Sequence, residues 1–218
     1  MEYVTPVTGS QGNMSQTGAT LKPLYITNQT GNGKAVLRFD GSNDFMRLTN
    51  SLSIAKNVGA FSIIFVVKFN AVSKDQSMVF VSTPTEASTR FVWRVVVANS
   101  GLCFVRTLDT DTGGGPSTTG FTATTGTFYT FHVSMDYTNK LLNAWVNGVQ
   151  RMTNSIPSNN TAGNTSNTDS GQQLAIGRDN GGTRYLQGDV VAWGAYSNVF
   201  TSQQVSDSYS AIQTYLGV

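Results

Sequence analysis

The run Lys140-Leu-Leu-Asn-Ala-Trp-Val-Asn-Gly-Val-Gln-Arg-Met-Thr153 decides the fold class of this chain. Two segments suited to β-strands meet at the pair Asn147-Gly148. A type I′ hairpin turn needs a positive φ at both central residues, and an Asn-Gly pair adopts that conformation most readily. The pattern therefore predicts a β-hairpin whose turn sets the register of its two strands.

The composition favours β structure in the rest of the chain as well. Hydrophobic residues make up 39% of the 218 residues and charged residues only 12%, well below the usual charged share. Ser, Thr, Asn and Gly, which suit turns and solvated strand faces, take the place of charge. The length fits one large all-β domain.

Segments with strand patterns follow one another along the chain. Phe61–Phe69 is apolar on both faces except at Ser62 and Lys68, which is typical of a central strand covered on both sides. Further predicted strands are Leu24–Thr27, Ala35–Phe39, Phe45–Leu48, Ser77–Ser82, Phe91–Ala98, Leu102–Arg106, Phe128–Asp136, Gln173–Ile176 and Gly188–Tyr196.

One helix is predicted at the C-terminal end. Thr201 and Gln204 have the spacing of a capping box, and Gly217 is a suitable C-terminal stop. One apolar face is formed by Val205, Tyr209, Ile212 and Leu216. A helix this short is not stable alone in water, so we expect it to pack on the sheets.

The domain organisation follows from these elements. Residues 1–20 are polar and rich in Gly, Ser and Thr, and we interpret them as an extended N-terminal arm. Residues 21–218 are predicted to form one antiparallel two-sheet β-sandwich of the jelly-roll type with one short C-terminal helix. The stretches 109–127 and 155–171 are predicted as long loops, which are often functional.

Several motifs resemble those of concanavalin A-like, laminin-G-like jelly-roll domains. Arg38-Phe-Asp-Gly-Ser-Asn-Asp-Phe45 is similar to the F-D-G-x-x-D-Y/F signature of that family, and Phe61–Val67 is similar to the strand that follows it. His132-Val133 with Asp136, followed by Trp145-Val-Asn-Gly-Val149, resembles the pair of strands H-V…D…Y-V-N-G-V.

The last part of the family pattern has counterparts as well, in Tyr185-Leu-Gln-Gly-Asp189 and in Tyr215-Leu-Gly217. The order and spacing of these motifs extend the resemblance over about residues 20–218. The resemblance implies an all-β, concanavalin A-like sandwich.

The ionisable residues argue against catalysis. Glycoside hydrolysis needs two carboxylates that flank the scissile bond. The only glutamates are Glu2 and Glu86, and no predicted strand carries a pair of acids. We interpret the single His132 as a hydrogen-bonded surface residue on a polar strand face, and with the single Cys103 it cannot supply a zinc cage. The protein is predicted not to be an enzyme.

Charge and hydropathy exclude two classes of partner. The net charge is +2 and the 14 Lys and Arg residues are scattered, which does not favour nucleic-acid binding. The longest apolar run, Ile63–Val67, is far too short to cross a bilayer, so no membrane insertion is expected.

Calcium is the only ion for which the sequence offers candidate ligands, and no cofactor is required. Asp109 and Asp111 precede a Gly-rich stretch and are spaced like the first ligands of an EF-hand loop, but Gly120 occupies the place of the bidentate Glu. The resemblance implies that weak calcium can bind at a loop rim. The alternative is that such aspartates, including Asp40 and Asp44, stabilise turns.

The candidate ligand-binding residues lie close together near the end of the chain. Tyr185 offers an aromatic surface for a sugar beside charged and amide groups, although the resemblance implies a strand residue at this position and so favours a place in the core. The predicted set comprises Arg178, Asp179, Asn180, Arg184 and Tyr185.

Two functions stay open at this point. The favoured one is a non-catalytic structural protein of a larger assembly, in the first place a phage virion surface component such as a capsid decoration or tail protein. No secretion signal and no disulfide pair are visible, and the polar arm would contact other virion or assembly proteins in an oligomer. The alternative is an extracellular, lectin-like module, with or without calcium, that binds cell-surface glycans.

Overall fold

The computed structural model describes residues 14–48, 59–82, 89–96, 102–107, 121–136, 138–155, 173–179 and 182–218. Over these residues the chain forms a 3-10 helix, Ala19–Leu21, and one α-helix, α1, Ser202–Leu216. The strands are β1 Leu24–Ile26, β2 Val36–Asp40, β3 Met46–Leu48, β4 Ala60–Phe69, β5 Gln76–Ser82, β6 Thr89–Val96, β7 Leu102–Thr107, β8 Phe128–Asp136, β9 Leu141–Val146, β10 Val149–Ser155, β11 Gln173–Ile176 and β12 Gln187–Tyr196.

The strands build two antiparallel sheets, which confirms the predicted fold class. A seven-stranded sheet has the order β1-β2-β12-β4-β8-β9-β10, and a five-stranded sheet has the order β3-β11-β5-β6-β7. Strand β12 lies between β2 and β4, so a late segment of the chain completes the centre of the larger sheet.

The hydrophobic core lies between the sheets. In β4, Phe61, Ile63 and Phe65 are fully buried and belong to this core, because alternate residues of a strand point to the same face. Ser62 and Val66 on the other face are also buried, so β4 is covered on both sides as predicted.

The predicted hairpin forms at Asn147-Gly148. The φ angles are 51° at Asn147 and 75° at Gly148, and Val149 pairs with Val146. The Asn147 side-chain oxygen accepts a hydrogen bond from Thr130 N at 2.9 Å. The turn therefore has the left-handed backbone that its residues favour, and a hydrogen bond also joins it to β8.

Helix α1 lies on the outer face of the seven-stranded sheet. Thr201 and Gln204 form the predicted capping box, and Gly217 ends the helix with φ 75°. Val205 packs with Trp145 and Phe200 in a small second cluster. This packing confirms that the helix docks on the sandwich.

The helix changes the environment of His132, which is completely buried. Its Nε2 lies 2.7 Å from Ser208 Oγ, and its ring meets the Phe200 ring edge-on at 5.7 Å. Burial lowers the pKa of His132 from 6.5 to about 4. The expectation of a surface position was wrong, because strand alternation identifies a second face but not the element that covers it.

Residues 14–21, here called the N-terminal strap, pack on the sandwich. Ser15 forms an isolated bridge with Arg47 of β3, and Met14 is buried in the main core. Leu21 O accepts a hydrogen bond from Phe45 N at 3.1 Å. Residues 14–20 of the predicted arm therefore lie on the sandwich, and residues 1–13 lie outside the described part of the chain.

The described residues contain no helix that is both long and apolar enough to cross a membrane.

Candidate functional site

Loops from both sheets meet at one end of the sandwich. Gln187, at the start of β12, pairs with Asp40 at the end of β2, and Gly188 pairs with Phe69 at the end of β4. Asn70 N donates to Gln187 O, and Gly177 N, just after β11, donates to Met78 O. We call residues 40–45, 70–75, 177–179 and 182–186 at this end the loop rim.

The first loop of the rim is a turn closed by its own aspartates. Asp40 Oδ1 accepts hydrogen bonds from Ser42 N at 2.7 Å and Asn43 N at 3.2 Å, and Asp44 Oδ2 accepts one from Asp40 N at 2.9 Å. Burial acts to raise the pKa of Asp40, but the backbone donors outweigh it and the pKa is lowered. These two aspartates therefore stabilise the turn.

Asp179 organises the third loop of the rim. Its Oδ1 accepts hydrogen bonds from Thr183 N at 3.1 Å and Arg184 N at 3.0 Å, and its Oδ2 lies 2.5 Å from Arg184 Nη1. The side chain is only 6% exposed. Both carboxylate oxygens of Asp179 are therefore hydrogen-bonded to its own loop and to the Arg184 guanidinium. Asp179 does not face solvent as a ligand-binding carboxylate would.

Arg184 is shared between two carboxylates. Its Nε lies 3.3 Å from Asp75 Oδ2, and the side chains of Arg184 and Asp75 are 36% and 38% exposed. The hydrogen bond to Asp179 raises the pKa of Arg184, burial opposes this, and the charges of Asp179 and Asp75 add to the rise. We call Asp75, Asp179 and Arg184 the Arg184 cluster.

Two of the remaining predicted site residues, Tyr185 and Arg178, directly neighbour members of this cluster in the chain. The half-buried Tyr185 has its hydroxyl against Gly182, where an added Cβ would be 2.7 Å away. The Arg178 guanidinium stacks 3.9 Å from the centre of the Phe45 ring, a cation–π contact. Asn180 lies outside the described residues.

Asp75 is the residue of this site that sequence reasoning missed. It reaches Arg184 from the loop between β4 and β5, 109 positions away in the chain. The only local signal is the polar pair Lys74-Asp75 before a strand, which is typical of any turn.

A second charged cluster lies on the outer face of the seven-stranded sheet. Asp189 is completely buried and contacts Arg38 Nε at 2.6 Å, Lys68 Nζ at 3.0 Å and Asn70 Nδ2 at 3.2 Å. Burial acts to raise the pKa of Asp189, but these donors outweigh it and the pKa is lowered. The cluster ties β2, β4 and β12 together.

The described part of the chain contains no group of three or more His, Cys, Asp or Glu residues that could hold a metal ion. Asp109 and Asp111, the predicted calcium ligands, lie outside that part.

Solved structures of similar fold come from several organisms. Domain 4 of an extracellular arabinanase from Geobacillus stearothermophilus, in complex with arabinotriose, matches with a TM-score of 0.62 and 16% identity over 92% of this chain and 90% of that one. A heptameric SAP-like pentraxin from Limulus polyphemus matches with a TM-score of 0.59 and 15% identity over 78% of each chain.

The CBM40 domain of the Ruminococcus gnavus IT-sialidase, bound to α2,3-sialyllactose, matches with a TM-score of 0.53 and 16% identity over 70% of this chain and 83% of that one. At these identities the similarity concerns the fold. No curated protein matches the sequence. The family profile described as the concanavalin A-like lectin/glucanases superfamily matches residues 40–206, which is most of the chain. On that match, the protein belongs to the concanavalin A-like lectin/glucanase superfamily as a laminin-G-like domain.

Proposed function

We propose that this protein is a non-catalytic carbohydrate-binding module that holds glycans at the Arg184 cluster on its loop rim. Family membership supports a lectin-like role, and two of the similar structures contain an oligosaccharide. Binding sites are commonly carried by loops that a rigid scaffold positions, which is how the rim is built.

The side chain of Arg184, which is 36% exposed and held by two carboxylates, is the observation that carries the proposal. Two carboxylates hold its Nε and Nη1, so the planar group is fixed before any ligand arrives. A fixed group loses little side-chain entropy on binding. The cluster offers N–H donors beside carboxylate acceptors, which together suit the hydroxyl groups of a sugar.

Tyr185 adds an apolar surface next to these polar groups. It follows Arg184 directly and is half-buried, with its hydroxyl against Gly182. Aromatic rings combine a large apolar face with a polar end, and few well-placed polar groups then fix the orientation of the ligand.

The carboxylates of the rim support a binding function over hydrolysis. Asp75 and Asp179 both engage Arg184, and Asp40 and Asp44 engage backbone N–H groups. A glycosidase needs one protonated and one ionised carboxyl group on either side of the scissile bond. Each of these four rim carboxylates is engaged by the protein itself, which favours a structural role for them over a catalytic one.

The lectin function replaces virion assembly as our preferred interpretation. None of the three similar structures described above is named as a virion protein. The virion surface location and the assembly partners remain predictions. An extracellular or cell-surface location and an oligomeric state suit glycan binding, because several weak sites together give avidity.

Glycan-array binding of the full chain tests the proposal. We expect saturable binding to a subset of glycans, and a loss of at least tenfold in affinity in Arg184→Ala and Tyr185→Ala, since each removes a direct ligand contact. Arg151→Ala, which changes an exposed arginine of β10, is the matched control and should bind normally. A clean negative across the array, or equal loss in the control, would contradict the proposal.

We also propose weak calcium binding at Asp109 and Asp111, supported only by the spacing of these carboxylates ahead of a Gly-rich stretch. Millimolar calcium should then raise the melting temperature of the protein, and the double variant Asp109→Asn/Asp111→Asn should abolish that rise. A melting temperature that responds to neither calcium nor chelator would remove the calcium site.

A further inference from the structure

We infer that the rim site selects neutral glycans and rejects acidic ones. This inference rests on the proposed function and specifies its ligand class. The argument starts from the charge of the Arg184 cluster, in which one guanidinium lies 2.5 Å from Asp179 and 3.3 Å from Asp75. One positive and two negative groups leave the cluster with a net negative charge.

Exposure determines which of these charges a ligand meets. Asp179 is almost completely covered, whereas Asp75 and Arg184 are exposed to nearly the same degree. A ligand at the rim therefore approaches a carboxylate and a guanidinium side by side. A pair of neighbouring hydroxyls matches this surface, because one hydroxyl can donate to Asp75 while the other accepts from Arg184.

A carboxylate on the ligand has no such match. It could pair with Arg184 only by coming close to Asp75, and like charges at hydrogen-bonding distance repel even near the protein surface. The charge of the guanidinium is also already neutralised by its two partners, so it attracts an anionic ligand less strongly than an isolated arginine would.

The other cations of the rim are also occupied. Lys74 Nζ donates to Gly41 O, and its charge acts on the Asp40 carboxylate. The Arg178 guanidinium lies over the Phe45 ring. The rim therefore presents no uncompensated cluster of positive charge among its described residues.

Paired glycans on one array test this selectivity with the full chain. The probes are neutral oligosaccharides, including lactose and arabinotriose, printed beside counterparts that carry sialic or uronic acid, such as α2,3-sialyllactose. We expect each bound neutral glycan to bind at least about tenfold more tightly than its acidic counterpart. Tighter binding of the acidic members would overturn the inference while leaving the proposed function intact. Absence of all glycan binding would overturn the proposed function, and the inference with it.

The variant Asp75→Asn tests the physical cause. The amide oxygen still accepts a hydrogen bond but carries no charge, so the ratio of neutral to acidic binding should fall by about tenfold, whatever the change in affinity for neutral glycans themselves. Asp136→Asn is the matched control, because Asp136 is likewise a hydrogen-bonded carboxylate but lies at the opposite end of β8 from the rim. An unchanged preference in Asp75→Asn, or an equal change in the control, would contradict the assignment to this cluster.

Discussion

The imidazole of His132 is buried between β8 and α1, where a positive charge on the ring would face no negative group among the described residues. Ser208 of α1 and the Phe200 ring contact it, Ile64 pairs with it from β4 and Trp145 from β9, and none of these groups is charged. A charge on the ring would therefore be buried without a partner, which explains the pKa of about 4.

This gives a pH dependence of stability with a defined sign. The unfolded chain, with a His132 pKa of 6.5, binds the proton more readily than the folded protein with a pKa of about 4. The free energy of unfolding should be undiminished above pH 6.5 and should fall between pH 6.5 and 4, by about 3 kcal/mol from this residue. Urea titrations at several pH values measure the free energy of unfolding. Between pH 6.5 and 4, His132→Gln should lose about 3 kcal/mol less of it than the parent protein. Identical losses in both proteins would contradict the prediction.

The buried carboxylate of Asp189 presents the opposite case, because it is charged and fully compensated. Asp189→Asn leaves Arg38 and Lys68 facing each other without their shared counter-ion. Removal of one partner from a buried ion cluster costs about 3 kcal/mol or more. Chemical denaturation should record that loss, whereas Asp207→Asn on the exposed surface of α1 should change stability by less than about 0.5 kcal/mol.

At the scale of elements, the C-terminal end of α1 is hydrogen-bonded to the loop between β1 and β2. Asn32 Nδ2 donates to Thr214 O at 2.6 Å, and Asn32 N donates to Leu216 O at 3.0 Å. These donors satisfy carbonyls that a helix end leaves without partners. Tyr215 is held beside the same loop by the ammonium of Lys34, 4.8 Å from its ring centre.

Replacement of this amide by a carboxylate should loosen the helix. Asn32→Asp removes the donor and brings a negative charge to the negative end of the helix dipole, which should cost about 1–2 kcal/mol. Thermal unfolding measures the loss. Asn28→Asp, an exposed position in the same loop, serves as control and should be close to the parent protein. Equal melting temperatures for all three proteins would refute the role of Asn32.

Elements with local determinants could be predicted from the sequence. The Asn147-Gly148 turn and the Thr201 capping box each depend on residues within four positions of one another, and both formed as expected. The burial of His132 and the position of Asp75 depend on partners 76 and 109 positions away. Periodicity contains no information about such partners, so a buried residue was interpreted as a surface residue and one site residue was missed.

At the scale of the whole molecule, the N-terminal strap connects the edge of the smaller sheet to the main core. Ser15 extends the five-stranded sheet beyond β3, and Met14 is buried in the main core. Met14→Ala should therefore cost about 2–3 kcal/mol, as expected for a core methionine. Val149→Ala, at an exposed position of β10, is the control and should be nearly neutral in the same denaturation experiment. A neutral Met14→Ala would show that the strap is dispensable for stability.

The central place of β12 has a consequence for how the chain reaches its fold. Strands β2 and β4 each pair with β12 and not with each other, so the larger sheet stays open until residues 187–196 have been made. During that time the apolar β4 strand has an exposed edge, which favours association with other chains. Synthesis on the ribosome should therefore produce the folded state late and in one step, and fragments that end before residue 187 should aggregate when expressed.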